Sequence, residues 1–104
     1  MSAPTCCIII PARDEAASIA AVLDRIADSV TVGFECIVVV DDASDPTHLV
    51  VDAIHGEDPR FRIAINDLGP GPANAIRYGV SSSEAPVVVV TMADGSDDPR
   101  AIDD

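Results

Sequence analysis

The chain has 104 residues and a formal net charge of −12, so it is long enough for one small domain and strongly acidic. All six basic residues are arginine. The missing lysine excludes a P-loop and Schiff-base catalysis, and the acidic surface should repel nucleic acid. The longest apolar runs are far shorter than the ~20 residues that cross a bilayer. We see no signal-peptide pattern and predict a cytoplasmic protein.

Four short runs rich in valine and isoleucine predict β-strands, at Cys6–Ile10, Cys36–Val40, Arg62–Ile65 and Pro86–Met92. The first, second and fourth show little polar alternation, as expected for strands covered on both faces. The three cysteines, Cys6, Cys7 and Cys36, lie at the starts of such runs without paired spacing. We therefore predict buried free thiols rather than a disulfide or zinc site.

Helical patterns separate the strands. Residues 16–30 repeat apolar side chains at a helical period, with a predicted buried stripe of Ile19, Val22, Leu23, Ile26 and Val30. Acidic residues just before this stretch suit a helix N-terminus.

Two further helices are predicted. The weaker one covers Pro46–Ile54, and its apolar face would be Leu49 or Val50 with Ala53 and Ile54. The other covers Pro72–Ser82, after Gly71 as a cap, with Ala73, Ile76 and Val80 as its buried stripe.

The predicted order of elements is β-α-β-α-β-α-β. Right-handed crossovers then give an α/β fold with a parallel, doubly wound sheet between two helical layers, in a single domain over residues 1–104. Ligands of such sheets bind at the carboxyl ends of the strands. Three of the four segments at those ends are acidic, including Asp41, Asp42 and Asp94.

Carboxylates at the ends of adjacent strands repel one another, and a divalent cation relieves that repulsion. Oxygen ligands favour Mg²⁺ or Mn²⁺, which usually take further ligands from phosphates. The pattern therefore suggests a metal at Asp41, Asp42 and Asp94 and a phosphate-bearing substrate. The alternative is that these aspartates cap helices and turns.

Four segments in series resemble the family 2 glycosyltransferases, most closely the dolichyl- or polyprenyl-phosphate sugar transferases. Residues 8–15 resemble the opening strand that ends in Pro-Ala-Tyr-Asn-Glu, and residues 35–44 resemble the strand that ends in Asp-Asp-Gly-Ser. Residues 71–79 resemble the Gly-Lys-Gly-x-Ala-x-x-x-Gly helix, and residues 87–99 resemble the strand that ends in the metal-binding Asp-x-Asp. The resemblance implies the Rossmann-like GT-A fold and sugar transfer from a UDP- or GDP-linked donor to an acceptor, with a lipid phosphate as the candidate acceptor.

The resemblance also implies roles for individual residues. The substrate-binding set would be Pro11, Arg13, Glu15, Val39, Asp41, Asp42 and Ala93. Within it, Pro11, Arg13 and Glu15 would border the nucleobase and ribose. Asp94 would hold the Mg²⁺ or Mn²⁺ ion that bridges the diphosphate. The resemblance points to no catalytic residue in this chain.

Three departures from the family pattern bear on those roles. Met92 stands where the family has the first aspartate of Asp-x-Asp, which leaves Asp94, with Asp97 or Asp98 as helpers. Arg13 replaces the usual aromatic residue, and its partner is open between a phosphate and a nearby carboxylate. Pro72 replaces the family's lysine and removes one phosphate contact.

The family's domain continues past the metal strand, so this chain resembles the N-terminal half of a GT-A domain. We expect an open apolar sheet edge, which favours homodimer formation, and a location that is cytoplasmic or peripheral to a membrane. Two alternatives stay open: a catalytically incomplete nucleotide-binding fragment and a nucleotidyltransferase of related fold.

Two rival classes fit poorly. A phosphoacceptor receiver domain needs a lysine, and the chain has none. A Rossmann dinucleotide-binding domain needs Gly-x-Gly-x-x-Gly after its first strand, whereas residues 11–15 contain no glycine.

Overall fold

The computed structural model describes residues 5–91, which form four strands and three helices in strict alternation. The elements are β1 (Cys6–Pro11), α1 (Ala16–Ser29), β2 (Phe34–Val40), α2 (Thr47–Glu57), β3 (Phe61–Ile65), α3 (Pro72–Ser81) and β4 (Val87–Val90). Each predicted element is present, with ends that differ by a few residues. Met92, the predicted end of the last strand, lies outside the described residues.

The strands form one parallel sheet in the order β3-β2-β1-β4. Ile9 in β1 pairs with Ile37 on one side and with Val90 on the other. The chain thus begins in the middle of the sheet and winds outward in both directions. This arrangement confirms the predicted doubly wound α/β fold and brings the β1 and β2 ends side by side.

Successive residues of β1 and β2 point to opposite faces, so the core has two parts. Ile8, Ile10 and Val38 pack against α1 and α2, whereas Cys7, Ile9 and Val39 pack against α3. Because both faces are covered, the central strands are almost entirely apolar, and Glu35 of β2, which is partly buried, accepts a hydrogen bond from Ser83. Helix α1 buries Ile19, Val22, Leu23 and Ile26, which confirms its predicted stripe, and the predicted Val30 is buried just after the helix ends.

The predicted face of α2 was right only in part. The fully buried side chains are Thr47 and Val51, whereas Leu49 is 73% exposed and Ala53 is exposed. Val50 and Ile54 pack at the margin of the core. The hydroxyl of Thr47 accepts a hydrogen bond from the backbone N–H of Glu15, and Val51, one turn along α2, lies on the same buried face.

The predicted stripe of α3 was also wrong. Ala75 and Gly79 are buried, Ala73 is exposed, Ile76 is partly buried and Val80 is 43% exposed. A Cβ at Gly79 would lie only 2.7 Å from Cγ2 of Ile9. The helix therefore approaches the sheet through its smallest residues, and close contact rather than side-chain size decides its orientation.

The three cysteines are free and buried, as predicted. Burial raises the pKa of Cys6 and of Cys36, and it raises the pKa of Cys7 to about 11. At neutral pH these thiols stay protonated and act as small apolar side chains.

Strand β4 forms one edge of the described sheet. Val87, Val88 and Val90 are 50%, 37% and 42% exposed, while Val89 packs at the margin of the α1–α2 core. Among residues 5–91, no helix is long and apolar enough to cross a membrane.

Candidate nucleotide-binding site

A cavity of about 230 Å³ opens at the carboxyl end of the sheet. The β1–α1 loop, the end of β2 and the start of α3 surround it, and its lining residues are Pro11, Ala12, Arg13, Glu15, Asp41, Gly71, Pro72 and Ala75. Arg13 is the cation of this lining and Glu15 and Asp41 are its carboxylates. The cavity lies at the carboxyl ends of β1 and β2, at the edge of a parallel sheet where ligands bind.

Asp41 joins the end of β2 to the β3–α3 loop. One of its carboxylate oxygens accepts a hydrogen bond from Asn66 Nδ2 at 2.9 Å, and the other accepts one from the Gly71 backbone N–H at 3.2 Å. Asn66 is buried, and its amide also donates to the Gly69 carbonyl and accepts from the Leu68 backbone N–H. Asp41 is therefore held at the start of α3 by the residues around it.

The β1–α1 loop is held from the neighbouring β2–α2 loop. The Asp14 backbone N–H donates to Asp45 Oδ2 at 2.8 Å, and the Glu15 N–H donates to Thr47 Oγ1 at 2.9 Å. Asp45 also accepts a hydrogen bond from the Thr47 backbone N–H. These three bonds fix the loop that carries Arg13 and Glu15.

The Glu15 side chain is oriented within its own helix. Ser18 Oγ donates to Glu15 Oε2 at 2.7 Å, one turn along α1. Since a carboxylate has two acceptor oxygens, Glu15 can also accept a hydrogen bond from a ligand in the cavity.

A second depression of about 400 Å³ adjoins the first and shares Arg13 and Asp41 with it. The other residues of its lining are Asp14, Asp42, Ser44, Asp45, Pro46 and Pro70. It is more open and more acidic than the first cavity, because three further aspartates border it.

Hydrogen bonding keeps two of these aspartates ionised. Bonds from the backbone and side chain of Ser44 lower the pKa of Asp42. Partial burial raises the pKa of Asp45, but hydrogen bonds from Asp14 and Thr47 and the charge of Arg13 outweigh it and lower that pKa overall. Both carboxylates are therefore anionic at neutral pH.

The structure brings most of the predicted site residues together. Pro11, Arg13, Glu15 and Asp41 line the first cavity, and Asp42 lines the second. Val39 has no exposed surface and packs in the α3 core, so it does not line either cavity. Ala93 and Asp94 lie outside the described residues.

Three residues that sequence reasoning did not assign to the site turn out to shape it: Asp45, Thr47 and Asn66. None is apolar; Asp45 and Asn66 lie in the loops after β2 and β3, and Thr47 is the first residue of α2. A sequence signal did exist for Asp45 and Thr47, because an aspartate two residues before a helix start commonly accepts backbone hydrogen bonds. The distance of 32 residues between Glu15 and Thr47 hid their partnership from the sequence.

The described residues do not close a metal site by themselves. Among residues 5–91, no group of three or more histidine, cysteine, aspartate or glutamate side chains is arranged to hold a metal ion. The carboxylates of Asp41 and Asp42 are nevertheless oxygen donors of the kind that Mg²⁺ and Mn²⁺ prefer.

The fold is shared with solved glycosyltransferases. A mannosyltransferase from Pyrobaculum calidifontis, solved with GDP-Man and Mn²⁺, superposes with a TM-score of 0.75 at 24% identity, over 90% of this chain and 28% of that one. Glucosyl-3-phosphoglycerate synthase from Mycobacterium tuberculosis, solved with Mn²⁺, UDP and glucosyl-3-phosphoglycerate, gives 0.72 at 22% identity, over 86% of this chain and 33% of that one. This chain thus spans a third or less of the length of either protein.

A comparison with curated proteins gives no significant match. The model of the family "Glycosyl transferase family 2" matches residues 7–104, which is nearly the whole chain. With this match, and with the doubly wound sheet that the solved glycosyltransferases share, the chain belongs to glycosyl transferase family 2.

Proposed function

We propose that this chain binds the nucleoside diphosphate of a nucleotide-sugar donor and serves as the donor-binding part of a glycosyltransferase. The observation that carries the proposal is the first cavity, which gathers Arg13, Glu15 and Asp41 at the start of α3. Family membership and the nucleotide complexes of the two solved relatives support the same ligand class.

The lining suits a nucleoside diphosphate chemically. Glu15 and Asp41 offer carboxylate acceptors for ribose hydroxyls or for base N–H groups. Arg13 offers a guanidinium to phosphate, and the N-terminus of α3 at Gly71 and Pro72 adds a partial positive charge. The aspartates of the second depression would repel a bare diphosphate, which argues for a cation beside it.

That cation would be Mg²⁺ or Mn²⁺. Asp94 is its proposed ligand, from the family resemblance, and Asp42, which lines the second depression, is a second oxygen donor. An incomplete set of protein ligands fits such an ion, which commonly completes its coordination with phosphate oxygens and water. When bound, the ion would stabilise the negative charge that develops on the leaving diphosphate.

The acceptor is proposed to be a phosphorylated compound, with a polyprenyl phosphate favoured by the sequence resemblance. A phosphate acceptor is anionic at neutral pH and needs little help from a general base. The proposal includes a cytoplasmic or membrane-peripheral location. Residues for the acceptor are not assigned in this chain.

Self-association is proposed through the edge strand β4. Its exposed valines, and its place at the edge of the sheet that residues 5–91 form, support pairing with a second copy. Val88→Lys should lower the sedimentation-derived association constant if the edge is the contact, while Leu49→Lys, at an exposed position on α2, should leave it unchanged.

Calorimetric titration tests donor binding. We expect the 104-residue chain to bind UDP or GDP more tightly with Mn²⁺ than without it, and Asp94→Ala to lose this dependence. Arg13→Gln should weaken binding by about 10- to 100-fold through loss of a charge-assisted hydrogen bond. Arg77→Gln removes an exposed arginine outside the cavity and is the matched control. Absence of binding at millimolar nucleotide would overturn the proposal.

Transfer itself is tested with a labelled nucleotide sugar and two acceptors, a polyprenyl phosphate in vesicles and 3-phosphoglycerate in solution. Label in the lipid supports the favoured acceptor, and label in 3-phosphoglycerate supports a small phosphorylated one. Donor binding without transfer to either would favour a nucleotide-binding role alone.

A further inference from the structure

The start of α1 is fixed by another helix rather than by its own cap. Glu15 precedes α1, and its side chain makes no capping hydrogen bond to the helix backbone. Its backbone N–H instead donates to the hydroxyl of Thr47, the first residue of α2. Thr47 is fully buried, so water cannot replace this acceptor.

The contact lies beside a residue with an uncommon backbone conformation. Asp14, the residue before Glu15, has a φ of 56°, in the left-handed region that residues other than glycine rarely occupy. Such a conformation persists only where its surroundings over-determine it. Here the N–H of Asp14 is held by Asp45 and the N–H of Glu15 by Thr47.

The two residues that flank Asp14 are the ones that line the cavity. Arg13 and Glu15 both border it, whereas Thr47 borders neither the cavity nor the neighbouring depression. An effect of Thr47 on a ligand must therefore pass through its neighbours, which are the backbone of the β1–α1 loop and Asp45.

We propose that Thr47 is a positioning residue for nucleotide binding: its buried hydroxyl, together with Asp45, locks the turn at Asp14 and so aims Arg13 and Glu15 into the cavity. The inference rests on the proposed function, because it assigns Thr47 a part in binding the same ligand. It adds that the affinity of the site depends on a side chain the ligand does not touch.

Three variants separate this role from a merely structural one. Thr47→Val keeps the shape of the side chain but removes the acceptor, and Thr47→Ser keeps the hydroxyl. Val51→Ala lies one turn along α2 and is also fully buried, but its side chain packs only in the core. It should destabilise the fold without touching the loop.

Two readouts are measured in the full chain, in the cold and well below each variant's Tm. Amide hydrogen exchange reports on the Glu15 N–H, and titration with UDP and GDP in the presence of Mn²⁺ reports on affinity. We expect Thr47→Val to lose protection at Glu15 and to bind about tenfold more weakly, as for the loss of one buried hydrogen bond. Thr47→Ser and Val51→Ala should each stay within about twofold of wild type.

Unchanged affinity in Thr47→Val, with wild-type binding intact, would overturn the inference and leave the proposed function standing. An equal loss of affinity in Val51→Ala would also overturn it, because general destabilisation would then be the cause. Failure of the wild-type chain to bind either nucleotide would overturn the proposed function, and the positioning role with it, whatever the exchange data show.

Discussion

The two helical layers of this domain cover the same sheet by different means. The α1–α2 layer buries large side chains, such as Ile19, Leu23 and Ile26, against β1 and β2. Within residues 5–91 the other layer is the single helix α3, which packs on the sheet through Ala75 and Gly79. The first layer gains stability from the area it removes from water, and the second from the closeness of its backbone to the strands.

The layers also differ in how their ends are tied at the candidate site. Asp45 and Thr47 tie α1 to α2, whereas Asp41 and Asn66 tie the start of α3 to the sheet. Since both ties are made by polar side chains at the carboxyl ends of strands, the residues that build the site also join the layers.

The largest effect is expected in the α1–α2 core. Ile8 has no exposed surface, so Ile8→Ala should lower the free energy of unfolding by about 2–5 kcal/mol, from lost burial and the cavity it leaves. Leu49→Ala, at a 73% exposed position, should change it by no more than about 0.5 kcal/mol. Urea titrations followed by circular dichroism compare the two, and similar losses would contradict the burial described here.

The α3 contact is tested with one substitution at two glycines. Gly79→Ala must displace the buried Ile9, whose Cγ2 and Cδ1 would lie 2.7 and 2.8 Å from the new Cβ. Gly56→Ala, on α2, meets nothing within 4 Å. Alanine favours the helix at both sites, so Gly79→Ala should be less stable than Gly56→Ala by about 1–3 kcal/mol. Equal thermal midpoints would show that α3 does not approach the sheet this closely.

Lowering the pH should weaken the hydrogen bonds through which Asp45 connects the β1–α1 loop to the start of α2. Because the folded state lowers the pKa of Asp45, its contribution is present above the ordinary aspartate pKa of about 3.9 and is lost as pH falls through the lower folded value. Between pH 7 and pH 3, the Tm of Asp45→Asn should therefore fall by less than the Tm of the wild type. Asp67→Asn removes an exposed charge from the β3–α3 loop and is the matched control. If the Tm of Asp45→Asn fell with pH as steeply as that of the wild type, the role of this carboxylate would be contradicted.

The smallest effect is expected where α3 leaves the sheet uncovered. Val90 is 42% exposed, so Val90→Thr should change the free energy of unfolding by no more than about 0.5 kcal/mol. Val39 is fully buried on the same face, and Val39→Thr should cost about 1–3 kcal/mol because its hydroxyl would be buried. A large loss in Val90→Thr, measured in dilute solution, would mean that a further contact covers this strand.

The predictions from sequence succeeded where one periodic signal dominates. The apolar runs located the strands and the helical period located α1 with its buried stripe, because both depend only on neighbouring residues. The face of α2 was predicted only in part, and the face of α3 was predicted wrongly. The buried face of α2 contains a threonine that is hydrogen-bonded to a loop distant in sequence. The buried face of α3 lies so close to the strands that it holds glycine and alanine rather than isoleucine and valine.

The candidate site was likewise predicted in part. Local sequence patterns predict the α/β order and the acidic strand ends. They also place Pro11, Arg13, Glu15 and Asp41 at the ends of strands, because apolar runs locate those ends. The enclosure of Val39 in the core depends on tertiary packing. So do the hydrogen bonds by which Asp45, Thr47 and Asn66 hold the loops of the cavity. Two of those ties join residues 31 and 32 positions apart, and such hydrogen bonds exist only once the parallel sheet has placed the ends of β1 and β2 side by side.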